Sequence, residues 1–152
     1  MDEPPRFSAD EMLGSLARWL RIMGYDTTYF RDRADREILE VSQKENRILL
    51  TRDRELAERC GSIGVYVRSD DLMEQLRQVS KMFCLRLDEE RTRCTICNSS
   101  LEEVKPEEVI DLVPEGTLRN SDRFFQCTGC GKIYWKGSHW VDIRSKLSNI
   151  CD

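Results

Sequence analysis

The fold class of this chain is indicated by the stretch ILLTRDREL, residues 48–56, in which an apolar run gives way to charge. Ile48-Leu49-Leu50 is typical of a short buried strand, and a helical pattern begins just after it. Asp53 therefore stands where a strand ends and a helix starts. Two interpretations of this aspartate are open: it caps the helix, or it adds a carboxylate to a site shared by several strand ends.

The same alternation of strand and helix extends on both sides of this stretch. Hydrophobic patterning predicts strands at 6–9, 25–30, 47–51 and 64–68 and helices at 12–23, 34–46, 53–60 and 70–83. Strands that alternate with such helices form βαβ units and a parallel sheet. We therefore expect an α/β domain over residues 1–90, with a parallel sheet, flanking helices, and Met12 and Met82 among its inward-facing side chains.

Residues 91–152 are expected to form a second, smaller module. Its signature is two C-x-x-C pairs, CTIC at 94–97 and CTGC at 127–130. Four thiolates with this spacing suit a structural Zn²⁺ ion, and two disulfides are the alternative. RFFQC and KIYWK predict a hairpin, KPEEVIDLVPEG predicts a short helix, and a last helix is expected with Ser138 as its cap. The predicted zinc ligands are Cys94, Cys97, Cys127 and Cys130.

Composition narrows the classes of function. No apolar run approaches the roughly 18 residues of a membrane span, and the acidic start lacks the features of a signal peptide. We therefore expect a cytoplasmic protein with no membrane partner. The net charge of −4 does not indicate a nucleic-acid binder, yet 18 of the 24 basic residues are arginine. Arginine forms bidentate contacts with phosphate, although a simple preference for arginine at the surface explains the count equally well.

Acidic residues follow each predicted strand of the first domain. Any one of them could be a helix cap, because aspartate is a favoured N-cap residue. Parallel strand ends lie together, however, and several carboxylates there would repel one another unless they held a hard cation such as Mg²⁺ or Mn²⁺. Such a cation activates water for attack on phosphate. The acids are Asp10, Glu11, Asp32, Asp35, Asp53, Asp70 and Asp71.

Four segments in order give the chain a family resemblance: FSADEMLGSLARWLRIMGYDTTYFRDRADREIL, ILLTRDREL, VYVRSDDL and CTGCGKIYWKGSHW. Together they resemble the Mut7-C family, a PIN-like ribonuclease domain followed by a zinc ribbon. The resemblance implies metal-dependent cleavage of RNA, with Thr51 bonded to the acidic cluster and Glu40 as a competitor for one acidic position. The catalytic residues it implies are Asp10, Glu11, Asp35, Glu37, Asp53 and Asp71, of which Asp10, Asp35, Asp53 and Asp71 would bind Mg²⁺ or Mn²⁺.

Candidate contacts to single-stranded RNA are the remaining part of the predicted site. Aromatic residues of the ribbon could stack on unpaired bases, although packing around the zinc knuckle is the more common role of such residues. The predicted substrate-binding residues are Arg18, Thr51, Arg52, Arg68 and Trp135. Two alternative functions stay open: a non-catalytic RNA- or ribosome-binding module, and a PIN-plus-ribbon endonuclease for maturation of small-subunit rRNA.

Overall fold

The first part of the chain folds around a four-stranded parallel sheet. The computed structural model describes residues 3–151, so that residues 1, 2 and 152, which the predicted domain ranges include, lie outside it. The strand order is β2-β1-β3-β4, which confirms the prediction of an α/β fold with a parallel sheet. The order reverses between β1 and β3, the kind of position where open parallel sheets bind ligands. The strands are β1 (Phe7–Ala9), β2 (Thr27–Tyr29), β3 (Ile48–Thr51) and β4 (Gly64–Tyr66).

Helices cover both faces of this sheet because successive side chains of a strand point to opposite sides. Leu50 joins the core formed with α1 and α4, whereas Leu49 packs with residues of α2 and α3 on the other face. A 3₁₀ turn, Glu11–Leu13, connects β1 to the first helix. The helices are α1 (Gly14–Met23), α2 (Asp35–Lys44), α3 (Arg54–Cys60) and α4 (Leu72–Phe83).

Two methionines that were expected to face the core are exposed. Met12 is 69% exposed because it lies in the 3₁₀ turn, where the helical periodicity of α1 does not yet apply. Met82 is 53% exposed. It lies in the last turn of α4, where Phe83 takes the inward position with its ring 5.6 Å from that of Phe7. No helix within residues 3–151 combines the length and the apolar character needed to cross a membrane.

The second part contains an antiparallel sheet of order β5-β6-β7. The predicted hairpin is confirmed by β6 (Phe124–Cys127) and β7 (Ile133–Trp135), and β5 (Leu101–Val104) adds a strand that was not predicted. The short helix predicted from KPEEVIDLVPEG is wrong. Only a 3₁₀ turn forms there, followed by α5 (Thr117–Asn120). Val109 is buried in this segment, but Ile110 and Leu112 are more than half exposed, so there is no continuous apolar face to hold a helix together.

The C-terminal helix α6 (Ser138–Cys151) returns to the first sheet. Leu147 and Ile150 are buried in the same core as α1 and α4. Ser138 is the first residue of the helix and not the residue before it, so its predicted role as the cap is not observed. The core of the parallel sheet therefore includes side chains from both sides of residue 90.

Candidate active site and metal centre

Asp10 is the most unusual acid at the carboxyl edge of the sheet. It follows β1, its side chain is only 9% exposed, and its backbone N–H bonds the Leu50 carbonyl at 3.3 Å. Its Oδ2 accepts a hydrogen bond from the Thr51 hydroxyl. Its Oδ1 is buried and has no hydrogen-bond partner within residues 3–151. A buried oxygen without a partner costs free energy, and a cation would satisfy it.

Thr51 links the ends of β1 and β3 across the position where the strand order reverses. The residue is completely buried. Its hydroxyl donates to the Asp10 carboxylate and accepts the backbone N–H of Asp53 at 2.9 Å. One hydroxyl thereby fixes both acids relative to each other. The resemblance-based expectation that Thr51 bonds the acidic cluster agrees with this contact, and its burial makes it a positioning residue.

Asp53 is the N-cap of α3. Its Oδ1 accepts the backbone N–H of Leu56 at 3.2 Å, so the capping interpretation is correct for this oxygen. The other carboxylate oxygen takes no hydrogen bond from residues 3–151, and the side chain is exposed. Capping therefore occupies only part of this carboxylate.

Two of the other predicted acids lie near enough to Asp10 for their charges to act on its carboxylate. Burial is the largest cause that raises the pKa of Asp10 above its ordinary value, and hydrogen bonds from the Thr51 side chain and the Met12 backbone oppose it. The negative charges of Asp35 and Asp53 raise the Asp10 pKa further. Both carboxylates thus oppose the ionisation of Asp10.

The acids on α2 differ in their partners. Asp35 is the first residue of the helix and Ala34 is its N-cap, so Asp35 does not act as the cap suggested by its position in the sequence. Glu37 pairs with Arg33 at 3.2 Å and Glu40 pairs with Arg36 at 3.2 Å, both at the exposed surface. Asp35 is therefore the acid of this helix whose charge reaches Asp10.

Asp71 and Glu11 occupy the margins of the site. Asp71 caps α4 by accepting the Glu74 N–H at 3.1 Å, and within the described residues no hydrogen bond or ion pair joins it to Asp10 or Asp53. The Glu11 side chain is exposed directly beside Asp10. Its backbone carbonyl accepts the Tyr29 hydroxyl at 2.7 Å, which fixes the 3₁₀ turn against β2.

The predicted phosphate contacts are arranged unequally. The Arg52 guanidinium donates to the backbone carbonyls of Val67 and Arg68 at 3.4 and 3.3 Å. Arg68 is exposed beside it, and Arg18 is exposed on α1. Arg21, on the same helix as Arg18, is buried and donates to the carbonyls of Thr27 and Thr95, so it serves the packing of the two parts of the chain.

The four predicted zinc ligands lie together. Their sulfur atoms all lie within 4.8 Å of one another, and the thiols are free. The Cys94–Cys130 and Cys97–Cys127 sulfur pairs are 3.6 and 3.3 Å apart. Tetrahedral zinc with Zn–S bonds of about 2.3 Å separates its sulfurs by ~3.8 Å. The cluster could therefore hold a metal such as zinc. It is the only such group of three or more cysteine, histidine or acidic residues within residues 3–151, because the oxygens of the acidic site do not approach one another this closely.

The chemistry of the cysteine site also suits a metal. Hydrogen bonds from the side chain and backbone of Ser99 lower the pKa of Cys97 to about 6, which favours the thiolate that a metal requires. The Cys127 sulfur accepts the backbone N–H groups of Gly129 and Cys130, each at 3.3 Å. His139 is exposed and does not belong to the cluster.

The aromatic residues of the second part of the chain, residues 91–151, which we call the ribbon, differ in whether they are packed or exposed. The Tyr134 hydroxyl lies 3.0 Å from the Cys94 sulfur and accepts the Thr95 N–H at 3.1 Å. Trp140 donates its indole N–H to Glu89. Both residues thus follow the packing interpretation. Trp135 is 36% exposed and keeps a face available to solvent.

Two basic residues near the acidic edge are absent from the predicted set. Arg31 and Lys132 line the same cleft as Glu11 and Arg18. Arg31 follows β2 by two residues, so its place after a strand was a usable signal. Lys132 gives no such signal, because only the docking of the ribbon brings it to this cleft.

Family comparison agrees with the resemblance noted in the sequence. The profile of the Mut7-C RNAse domain matches residues 5–147, which is essentially the whole chain. The chain has no match among curated proteins and none among solved structures. The family match confirms the resemblance and suggests a ribonuclease-like function. The chain therefore belongs to the Mut7-C RNAse domain family.

Proposed function

We propose that this protein is a metal-dependent ribonuclease with a PIN-like fold that hydrolyses RNA phosphodiester bonds. The observation that carries the proposal is the buried Asp10 carboxylate, which has one unpartnered oxygen at the reversal of the strand order. Thr51 joins this carboxylate to Asp53, and the charge of Asp35 reaches it. Family membership supports the same class of activity.

Asp10, Asp53 and Asp35 would hold Mg²⁺ or Mn²⁺, because these cations prefer carboxylate oxygens. When bound, such a cation neutralises charge on the scissile phosphate and lowers the pKa of a water molecule. Asp71 is the weakest of the predicted ligands, since its carboxylate caps α4. Asp10 Oδ1, which has no hydrogen-bond partner within residues 3–151, and the second oxygen of Asp53 are the atoms left for this role.

The other predicted residues would position the substrate and the water. Glu11, exposed beside Asp10, would orient the attacking water, and Thr51 would keep Asp10 in place. Glu37 would act only if it left its ion pair with Arg33. Arg18, Arg52 and Arg68 would contact phosphates, while Trp135 would stack on an unpaired base. The four cysteines would hold Zn²⁺ in a structural role.

The test is cleavage of a labelled single-stranded RNA with added Mn²⁺ or Mg²⁺. Asp10→Asn and Asp53→Asn are each expected to abolish cleavage, with Asp111→Asn as the matched control in an exposed loop remote from the site. Retained binding to RNA without cleavage by the wild-type protein would overturn the proposal in favour of a non-catalytic RNA- or ribosome-binding module. Full activity of both variants would also overturn it, since the carboxylates would then be caps or surface residues.

A dedicated endonuclease for small-subunit rRNA maturation would share this domain order and this site. The same assay with a precursor rRNA fragment and an unrelated RNA of equal length distinguishes this hypothesis from that of a general ribonuclease. Equal cleavage of both RNAs is expected for the general ribonuclease that we propose.

A further inference from the structure

A cleft of about 680 Å³ lies between the first sheet and the ribbon. We call it the inter-module cleft. One wall is formed by the 3₁₀ turn, α1 and the residues just after β2. The other wall is formed by the segment between Cys94 and Cys97 and by the turn before β7. Glu11, the residue that follows Asp10 in the chain, lines it. The lining residues that matter here are Glu11, Met12, Arg18, Arg31, Ile96 and Lys132.

The charge of this cleft is opposite to that of the whole chain. Arg18, Arg31 and Lys132 are all exposed, and none of them forms an ion pair within residues 3–151. Among the residues that the structure describes, Glu11 is the only acid that lines the cleft. Because the chain carries a net charge of −4, three exposed cations without an ion pair in one cleft point to a polyanion that enters there.

Two large apolar side chains are exposed in the same cleft. Met12 is 69% exposed on the wall of the sheet and Ile96 is 63% exposed on the wall of the ribbon. A cleft that presents both cations and apolar side chains matches single-stranded nucleic acid, in which phosphates and uncovered base faces both need partners. A duplex would hide those base faces inside the helix.

Hydrogen bonds fix the two walls relative to each other. The Arg21 guanidinium donates to the Thr95 carbonyl at 2.7 Å. The Asn98 side chain accepts the Thr27 N–H at 3.0 Å and donates to Asp26 at 2.7 Å. The knuckle that carries Ile96 is therefore tied to α1 and β2, so the cleft is part of the folded structure.

We propose that the inter-module cleft binds the single-stranded RNA segment next to the scissile phosphate. Arg31 and Lys132 contact its phosphates, and Met12 and Ile96 pack against its bases. The ribbon is then one wall of the substrate site in addition to a metal-stabilised module. That the bound RNA continues toward Asp10 rests on the proposed ribonuclease function. That RNA binds in the cleft does not.

The test measures equilibrium binding of a fluorescein-labelled single-stranded 12-nucleotide RNA of mixed sequence to the full-length protein. No divalent ion is added, so binding is measured without cleavage. Arg31→Glu and Lys132→Glu are each expected to weaken affinity by about tenfold and to make the salt dependence shallower by ~0.7 per lost contact. Lys132→Arg is expected to stay within about twofold of the wild type because the positive charge is retained.

Matched controls reverse charge at exposed positions that do not line the cleft. Arg59→Glu on α3 and Lys81→Glu on α4 are expected to change affinity by less than about twofold. The zinc content of Lys132→Glu is measured in parallel, because Lys132 lies 5.0 Å from the Tyr134 ring. Arg31→Glu keeps the test valid if that variant loses metal, since Arg31 lies outside the ribbon.

The possible results distinguish failure of the cleft hypothesis from failure of the proposed ribonuclease activity. Loss of RNA affinity in both cleft variants, with the controls unchanged, supports the inference even if the wild type cleaves no RNA. Equal losses in cleft and control variants, or unchanged affinity in Arg31→Glu, overturn it even if cleavage with Mn²⁺ is observed. With an active enzyme, the cleft variants are expected to raise KM while kcat stays nearly constant.

Discussion

Asp53 can be tested for two roles separately, because one oxygen caps α3 and the other accepts no hydrogen bond from the described residues. The changes are Asp53→Asn and Asp53→Ala. Asparagine keeps an acceptor for the Leu56 N–H, which the present Oδ1 accepts at 3.2 Å. The stability loss should then be limited to the charge–dipole interaction, about 0.3–1 kcal/mol. Removal of repulsion with Asp10 offsets part of this loss, since Asp53 raises the Asp10 pKa.

Alanine removes both the acceptor and the charge. Loss of an N-cap costs about 1 kcal/mol, within a range of about 0.5–2 kcal/mol. We therefore expect Asp53→Ala to be about 1–2 kcal/mol less stable than the wild type, while Asp53→Asn stays within about 0.5 kcal/mol of it. Cleavage should fall by at least about 100-fold in both variants, because neither side chain supplies an anionic ligand.

The two readouts are urea unfolding at constant zinc and initial rates of RNA cleavage with Mn²⁺. Asp71 provides a comparison within the same chain, because it caps α4 through the Glu74 N–H at 3.1 Å. Asp71→Ala should lose similar stability, and Asp71→Asn should keep most of its cleavage. If Asp53→Asn cleaves RNA at the wild-type rate, the reasoning about the carboxylate is refuted. If asparagine and alanine destabilise equally, the capping assignment is refuted.

Three further predictions concern the ribbon and the last helix. Zinc should be found at one ion per chain, and Cys97→Ser or chelation should unfold the antiparallel sheet, as judged by elemental analysis and circular dichroism. Glu89→Gln should cost about 1 kcal/mol at pH 7, after allowance for a side chain that is 29% exposed. Hydrogen bonds from Arg144, followed by Trp140 and Lys136, lower the Glu89 pKa to about 2, so this stabilisation is complete above its usual pKa of about 4.5 and is lost as the pH falls toward 2. Leu147→Ala should cost about 2–5 kcal/mol in urea unfolding, whereas the exposed Leu112→Ala should stay within about 0.5 kcal/mol.

The elements of the parallel sheet were predictable because their signals are local. The run Ile48–Thr51 has the length and apolar character of a central strand, and Gly24 follows α1 with a positive φ of 106°, a conformation that glycine adopts most easily. The cysteine site was predictable for the same reason, since each C-x-x-C pair is complete within four residues. The prediction failed between Pro106 and Gly116, where Val109 is buried but Ile110 and Leu112 stay exposed.

The links between distant parts of the chain were not predictable from local patterns. The side chain of Asn98 bonds Asp26 and Thr27 across more than 70 positions in the sequence. Nothing in the spacing of the CTIC segment indicates that it would dock beside α1, and therefore Lys132 and Ile96 could not be assigned to a cleft. The burial of Leu147 depends likewise on the return of α6 to the first sheet. The spacing of apolar residues in α6 predicted a helix but not the surface against which that helix packs.

Among Asp10, Asp53 and Asp71, Asp10 is the acid whose position is not explained by helix capping. Capping accounts for Asp53 and Asp71, each of which accepts a backbone N–H from its own helix. Asp10 precedes a 3₁₀ turn and makes no side-chain capping bond. It is buried, and one of its oxygens has no partner within residues 3–151. Burial, followed by smaller contributions from the charges of Asp35 and Asp53, raises its pKa. A carboxylate in this position lowers stability unless something else compensates for it. A bound cation would do so, which is why the functional interpretation of the sheet edge depends more on Asp10 than on the acids that follow the other strands.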